Sequence, residues 1–464
     1  MKALLVSTPM MGHLNPLLGV GRILISNGHE VVGLSSTYLR DRIEAIGATF
    51  RGFLPEADFD IRNASEQFAE LKATPPGPKQ LRMILERGFV DFMLPQYQSV
   101  KAVMREFPFD IIIGDHLMLG VLPMLLGPRS ERLPVALLGT TYLLSRRDDG
   151  APNDAGIPPA SGDEQRKEYA ALFEAFEDAV FAPVGEYLDS RLAEIGVEPL
   201  RNNLYDAMVE LPDAYLQLTV PRFELPRRQM APSVHFVGPL PITPNQAPIP
   251  SWAPDLDGSR KVVLVTQGTL TNDDFGELVL PTLEALESEP DVIVVVTTGG
   301  RPVETLGGPL PDNVRVAQYL PFEWILSKID AFVTNGGYGS VNQALSFGVP
   351  IVTAGTAADR GDVSARVAWS EVGVNLATNA PTAQALRPAV RSVLDDPKFR
   401  AQAALYAEEA RGIDTRSEIL RILCQQALTT RDDEVQARKA ATLEAMRSCW
   451  PTPERHFSGE RQSI

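Results

Sequence analysis

Cysteine is scarce in this sequence. Among 464 residues there are two, Cys424 and Cys449. No disulfide framework and no metal-ligand spacing can be built from them, so reduced thiols are expected, with Cys424 as a small buried apolar side chain. Positive charge is also short. Asp and Glu number 59 against 43 Lys and Arg, for a net charge of -16. This disfavours nucleic acid, which is held mainly by Lys and Arg on phosphate, and anionic membrane surfaces. Long apolar runs are missing too. The best, Phe109 to Leu126, is interrupted by Asp110, Asp115 and His116 before it reaches the roughly 20 residues of a membrane span. The start, Met-Lys-Ala-Leu-Leu-Val-Ser-Thr-Pro, has no long apolar core of a signal peptide. The expectation is a cytoplasmic enzyme with no transmembrane segment.

What is present is ordinary globular composition, 44% apolar and 22% charged. The length suggests two or three units. Short β-branched and aliphatic runs recur: Ala3–Ser7, Glu30–Leu34, Ile111–Ile113 and Val135–Leu138, then Val262–Val265, Val292–Val296, Val314–Ala317, Ala331–Val333 and Ile351–Val352. Helical spacing lies between them, over Pro16–Asn27, Phe275–Glu287 and Tyr338–Ser346. Continuous apolar strands separated by helices indicate parallel sheets covered on both faces. Between the two sets, from Gly238 to Pro254, proline is too frequent for helix or central strand. The reading is two doubly wound α/β domains. They comprise residues 1–240, a proline-rich linker over 241–260, a second domain over 261–428, and a charged helix and tail over 429–464.

Chemistry concentrates at predicted strand ends, where open parallel sheets place their ligands. Thr8 to Pro16 follows the first strand. Gly12 permits close approach, and His13 has an imidazole suited to taking a proton near neutral pH. Position alone does not separate a base from a histidine that hydrogen-bonds its own loop. Asp115 ends a later strand. It could hold the His13 ring and balance its charge, or cap the next helix. In the second half, Gly268 and Thr269 form a small turn whose amides suit phosphate. The most informative segment runs from Phe332 to Pro350. A strand gives way to Asn335, Gly336 and Gly337, and a helix begins near Gly339 or Ser340. A helix start on a glycine turn is a natural diphosphate site. The chain has no Gly-x-Gly-x-x-Gly after its first strand and no Walker lysine, so nicotinamide and P-loop chemistry are poorly supported.

These segments, in this order, resemble the family 1 glycosyltransferases, the UDP-glycosyltransferase group that includes macrolide glycosyltransferases. The resemblance runs from Met1 to about Leu428 and is strongest over Val314–Leu376. Gly12 to Pro16, Val237 to Leu240, Phe332 to Thr334, Gly348 to Pro350, Asp359 and Arg366-Val367 carry it. It implies a GT-B fold, with two Rossmann-like domains facing a central cleft. It also implies an inverting, metal-independent hexosyltransferase with no prosthetic group. A nucleotide sugar, UDP-glucose or a relative, serves as co-substrate. His13 would be the base, assisted by Asp115. Gly12, Gly268, Thr269, Tyr319, Leu320, Asn335, Gly336, Gly337, Gly339, Ser340, Gln343, Asp359 and Arg360 would contact the donor.

Four positions depart from the family pattern. Asn335 replaces a histidine, Gln343 a ribose-binding glutamate, Tyr319 a base-stacking tryptophan, and Arg360 the glutamine of a sugar-reading Asp-Gln pair. An arginine cannot accept a hydrogen bond, which opens the identity of the sugar and nucleotide. Segments Phe53–Leu94 and Tyr142–Phe181, with Phe59, Phe68, Phe89, Phe92, Met83 and Met93, are expected to house a small apolar acceptor bearing a hydroxyl. Two other readings share the resemblance: an epimerase or lipid-linked sugar transferase on the same fold, and a nucleotide-sugar-binding protein without catalysis.

Overall fold

The computed structural model describes residues 1–63, 68–75, 77–243, 247–268 and 272–428. Thr269, Cys449 and the expected helix and tail over 429–464 lie outside the described residues.

Among the described residues thirteen strands form two sheets. The first contains β1 (Lys2–Val6), β2 (Glu30–Ser35), β3 (Thr49–Gly52), β4 (Ile111–Asp115), β5 (Val135–Gly139), β6 (Ala214–Gln217) and β7 (Val234–Phe236). Their order is β3-β2-β1-β4-β5-β6-β7, and every pairing is parallel. The second contains β8 (Lys261–Thr266), β9 (Val292–Thr297), β10 (Val314–Ala317), β11 (Ala331–Thr334), β12 (Ile351–Thr353) and β13 (Gly373–Asn375). Its order is β10-β9-β8-β11-β12-β13, again all parallel. Both sheets are therefore doubly wound, and each reverses direction beside its first strand. The reversal opens a crevice at the carboxyl ends of β1 and β4, and another at β8 and β11.

The central strands explain why the pattern was readable. All residues of β4, β5 and β9 are buried, as helices on both faces require. Each fully buried valine, leucine or isoleucine contributes roughly 1.5–3 kcal/mol relative to exposure. The sequence reading lacked β3, β6, β7 and β13. These strands have three or four residues each, too few to show a period, and pairing with a neighbour creates them.

Two helices differ from expectation. The first spans Met11–Ser26 rather than starting at Pro16. The extended backbone of Met10 caps it, and Pro16 sits inside it, at the sole cost of a donor to the Gly12 carbonyl. His13 is thus in the first helical turn, not in a free loop. The expected helix over Phe275–Glu287 is a 3₁₀ turn at Phe275–Glu277 followed by a helix at Val279–Leu286. Asp274 accepts from the Gly276 amide at 2.8 Å and shapes the first piece.

The described part of the proline-rich stretch is docked rather than free. Trp252 Nε1 donates to the Val316 carbonyl at 3.1 Å, and its ring lies 6.2 Å from that of Trp324. Residues 415–428 are helical, and Ile419, Ile422, Leu423 and Ala427 share a core with Leu17 and Leu24 of the first lobe.

A buried polar seam joins the lobes. Arg366 Nε donates to Glu224 Oε2 at 3.0 Å, and its guanidinium lies 4.3 Å from the Tyr142 ring centre. Both charged side chains are almost wholly buried. Burial alone would lower the guanidinium's pKa, but Glu224 and Asp362 outweigh it and raise it. Among the described residues no helix is long and apolar enough to cross a membrane.

Candidate active site

The first-lobe site follows from strand register. Parallel pairing sets Val6 beside Gly114, so the chain leaving β1 runs past Asp115 at the tip of β4. Asp115 is completely buried, and every contact it makes is a donor. Its Oδ2 accepts from the Thr8 amide at 2.7 Å. Its Oδ1 accepts from the Thr8 hydroxyl at 3.0 Å, the Leu117 amide at 3.1 Å and His13 Nδ1 at 2.7 Å. Burial alone would raise this carboxyl's pKa, but His13 and the Thr8 amide, aided by His116, hold it below the usual carboxylate range. An ionised Asp115 accepts, so Nδ1 of His13 carries the proton. The free tautomeric site is then Nε2, which has no partner among the described residues. With 16% of its side chain exposed, His13 can meet a substrate. A buried carboxylate thus orients an imidazole whose Nε2 is left open, an arrangement chemically able to accept a proton.

The loop under this pair is braced. Ser35 donates to the Ser7 carbonyl at 3.0 Å, and the Tyr38 hydroxyl to the Pro9 carbonyl at 2.6 Å. Sequence reasoning missed Thr8 and these supports, because each lies in an unremarkable polar run. Gly12 lies in the first turn, with open space where a Cβ would be. One aromatic ring lies beside His13, and three others form a cluster of their own. Phe89 is 6.5 Å from the His13 ring, and Phe59 stacks on Phe92 at 4.5 Å with Phe68 edge-on at 6.3 Å.

The second-lobe site repeats the logic. Thr266 pairs with Thr334, so the turns after β8 and β11 are neighbours. Asn335 Nδ2 donates to the Gln267 carbonyl at 2.9 Å, tying the two turns together. Gly268 has φ +74° and Gly336 φ +87°. A Cβ on Gly336 would also come within 2.9 Å of the Ser364 hydroxyl, so glycine is required twice over. Gly337 precedes the helix Tyr338–Ser346. Its first internal bond is from the Val341 amide to the Gly337 carbonyl, which leaves the amides of Tyr338, Gly339 and Ser340 without helical acceptors. The Ser340 hydroxyl turns back to the Gly337 carbonyl at 2.9 Å. Backbone, more than side chains, therefore faces outward there.

The remaining predicted residues surround this turn. Tyr319 is 53% exposed at the end of β10, and Leu320 behind it is buried. Gln343 is half-buried on the helix. Gln267, Glu277, Asn335, Arg360 and Asn379 line a cavity of about 320 Å³ at the ends of β8, β11 and β12. Burial pushes the Arg360 guanidinium's pKa down, against the pull of Asp359 and Glu277. Asp359 Oδ2 accepts from the Thr141 hydroxyl of the first lobe at 2.7 Å, and Gln217 Nε2 donates to the Tyr338 hydroxyl at 2.6 Å. The carboxyl edges of the two sheets therefore face each other, with His13 and Asp115 at one and Asn335, Gly336 and Arg360 at the other.

Two doubly wound lobes meeting at their carboxyl edges make up the GT-B fold. The comparisons agree. A family profile, the C-terminal domain of erythromycin biosynthesis protein CIII-like proteins, matches residues 278–425. The chain is 37% identical over 413 residues to 4'-demethylrebeccamycin synthase of Lentzea aerocolonigenes, covering 88% of this chain and 95% of that one. It is 34% identical over 431 residues to UDP-glycosyltransferase 2 of Phaeomoniella chlamydospora, covering 90% and 93%. The solved spinosyn rhamnosyltransferase SpnG, complexed with thymidine diphosphate, shares the fold with a TM-score of 0.63 at 20% identity, covering 91% of this chain and 100% of that one. The chain belongs to the family 1 glycosyltransferases. It transfers a sugar from a nucleotide-sugar donor to an acceptor.

Proposed function

We propose that the chain is an inverting hexosyltransferase in which His13 is the general base. Nε2 takes the proton of an acceptor hydroxyl, and Asp115 stabilises the imidazolium that forms. The acceptor oxygen attacks the anomeric carbon opposite the leaving group, so the configuration inverts. The bond to the nucleotide diphosphate breaks, and the diphosphate carries away the electron pair. The amides at the start of Tyr338–Ser346, with the Gly268 turn, stabilise that charge. The reading needs no metal, because the helix start supplies the positive end. The observation that carries it is the 2.7 Å contact between His13 and a fully buried Asp115.

Residues 1–240 are assigned to the acceptor and 261–428 to the donor, with 241–260 as linker. A UDP-hexose, UDP-glucose first, is the proposed donor. Support comes from the exposed Tyr319 ring, suited to stacking on a pyrimidine, and from the named UDP-glycosyltransferase relative. Gln343 is assigned to the ribose, and Asp359 with Arg360 to the sugar. Phe89 beside His13, with the Phe59, Phe68 and Phe92 cluster in the same lobe, supports a small apolar acceptor with one hydroxyl.

The test is His13→Ala, with product followed by mass spectrometry over a panel of donors and of alcohols and phenols un-ionised at the assay pH, and nucleotide binding followed by calorimetry. Transfer is expected to fall by at least ~10³-fold while UDP binding stays within about twofold. Unchanged transfer by the variant would remove His13 from the chemistry.

A further inference from the structure

His116 follows Asp115 in sequence, yet nothing in the motif reading gives it a role. The structure places its ring directly against the base. The His13 and His116 imidazoles are stacked, with centroids 5.1 Å apart and planes 18° apart. His116 is 3% exposed, and its Nδ1 shares a 2.9 Å hydrogen bond with the Thr140 hydroxyl, just past β5. Three neighbouring strand ends thus converge on one ring pair. β1 delivers His13, β4 delivers Asp115 and His116, and β5 delivers Thr140.

A general base needs two constraints. The Asp115 bond lies along the Nδ1–H direction and fixes where that nitrogen points. Coupled changes of χ1 and χ2 can still tilt the ring about that axis, which would move Nε2. A flat surface against the ring face removes that freedom. Resting on the reading of His13 as base, we propose that His116 is a positioning residue: its ring, anchored by Thr140, sets the plane of the His13 imidazole and so aims Nε2 at the acceptor hydroxyl.

Its ionisation suits the task. Burial above all, then His13, push its pKa down to about 3 against the opposing pull of Asp115. It stays neutral when His13 takes the acceptor proton, and a neutral π face tolerates a cation where a second imidazolium would repel it. A shared metal ion would suit the same three residues by proximity. The stacking argues for the positioning role instead. A chelated ion must lie in both ring planes at once, and near-parallel stacked rings offer no such point. Both Asp115 oxygens are also already engaged.

The experiment compares His116→Ala, His116→Phe and Thr140→Val with wild type, using UDP-glucose and two acceptors. One is 2-phenylethanol, which reacts only with help from a base. The other is a nitrophenol ionised at the assay pH, which needs none. His116→Ala is expected to lower kcat for the alcohol by about 10- to 100-fold, the range that small misplacement costs. Its kcat for the ionised phenol should stay within about threefold, with the donor KM unchanged. His116→Phe restores a flat face and should recover alcohol transfer to within about threefold. Thr140→Val should show a several-fold loss with the alcohol alone, and it decides the matter if a His116 variant does not fold. Equal losses on both acceptors, or no loss on either, overturn the positioning role. His13→Ala is run alongside. If it still glycosylates the alcohol, the base assignment itself fails. If it is inactive while His116→Ala works at full rate, only the positioning proposal falls.

Discussion

Replacing Asp115 with asparagine keeps the shape of the side chain and removes its charge. The consequence can be worked from the contacts. Four donors point at this carboxylate: the Thr8 amide and hydroxyl, the Leu117 amide and His13 Nδ1. An asparagine has one oxygen to offer, so either the Thr8 amide or the His13 cluster faces an NH₂ group. In the first case a buried amide goes unpaired, at a cost of ~1–3 kcal/mol to folding. In the second the His13 ring loses its orientation and its tautomer. In both, the imidazolium of the proposed mechanism loses its counter-charge. Two unit charges with centres about 4 Å apart interact by about 4 kcal/mol at an effective dielectric constant of about 20. That corresponds to roughly a 10³-fold drop in kcat. The assay is steady-state transfer to an un-ionised alcohol, with thermal unfolding measured on the same preparation. The donor KM should be unaffected, and an acceptor already ionised at the assay pH should recover most of the rate. A variant that is folded and within threefold of wild-type kcat on the alcohol would refute the electrostatic role of Asp115.

Two further predictions concern the seam between the lobes. Arg366→Met should destabilise the protein by about 3 kcal/mol, because it takes from buried Glu224 the nearer of its two guanidinium partners, leaving only Arg227 at 3.9 Å; chemical denaturation measures this. Arg366→Met with Glu224→Gln should recover part of that loss. Asp154 accepts from the Tyr142 and Tyr205 hydroxyls at 2.7 and 2.8 Å, and burial, with Asp362 nearby, raises its pKa to about 6. Between about pH 4 and pH 6 the folded state therefore holds a proton that the unfolded state has lost. This group's contribution is fully present below about pH 4 and disappears as pH rises through about 6, a change on the order of 3 kcal/mol. Asp154→Asn should remove that component, so the melting-temperature difference between variant and wild type should grow in the variant's favour from pH 4 to pH 7. A difference independent of pH would contradict it.

The sequence by itself determined the repeating strand and helix order, the two-lobed division and where to look for candidate site residues. Aliphatic runs such as Val292–Val296 are unambiguous because both faces of a parallel strand must be buried, and a glycine such as Gly336, with its positive φ, is required by backbone conformation. Both are local demands, written in consecutive residues. His13, Asp115 and the Asn335–Ser340 turn were legible as candidates because they sit at strand ends. Only the tertiary structure decided what they touch. Strand register brings Thr8 and His13 to Asp115 across more than a hundred residues, stacks His116 on His13, turns the Asn335 amide onto Gln267, and joins Thr141 to Asp359 across the lobes. Such contacts depend on which strands become neighbours and on a register one residue can shift, and no local pattern encodes either.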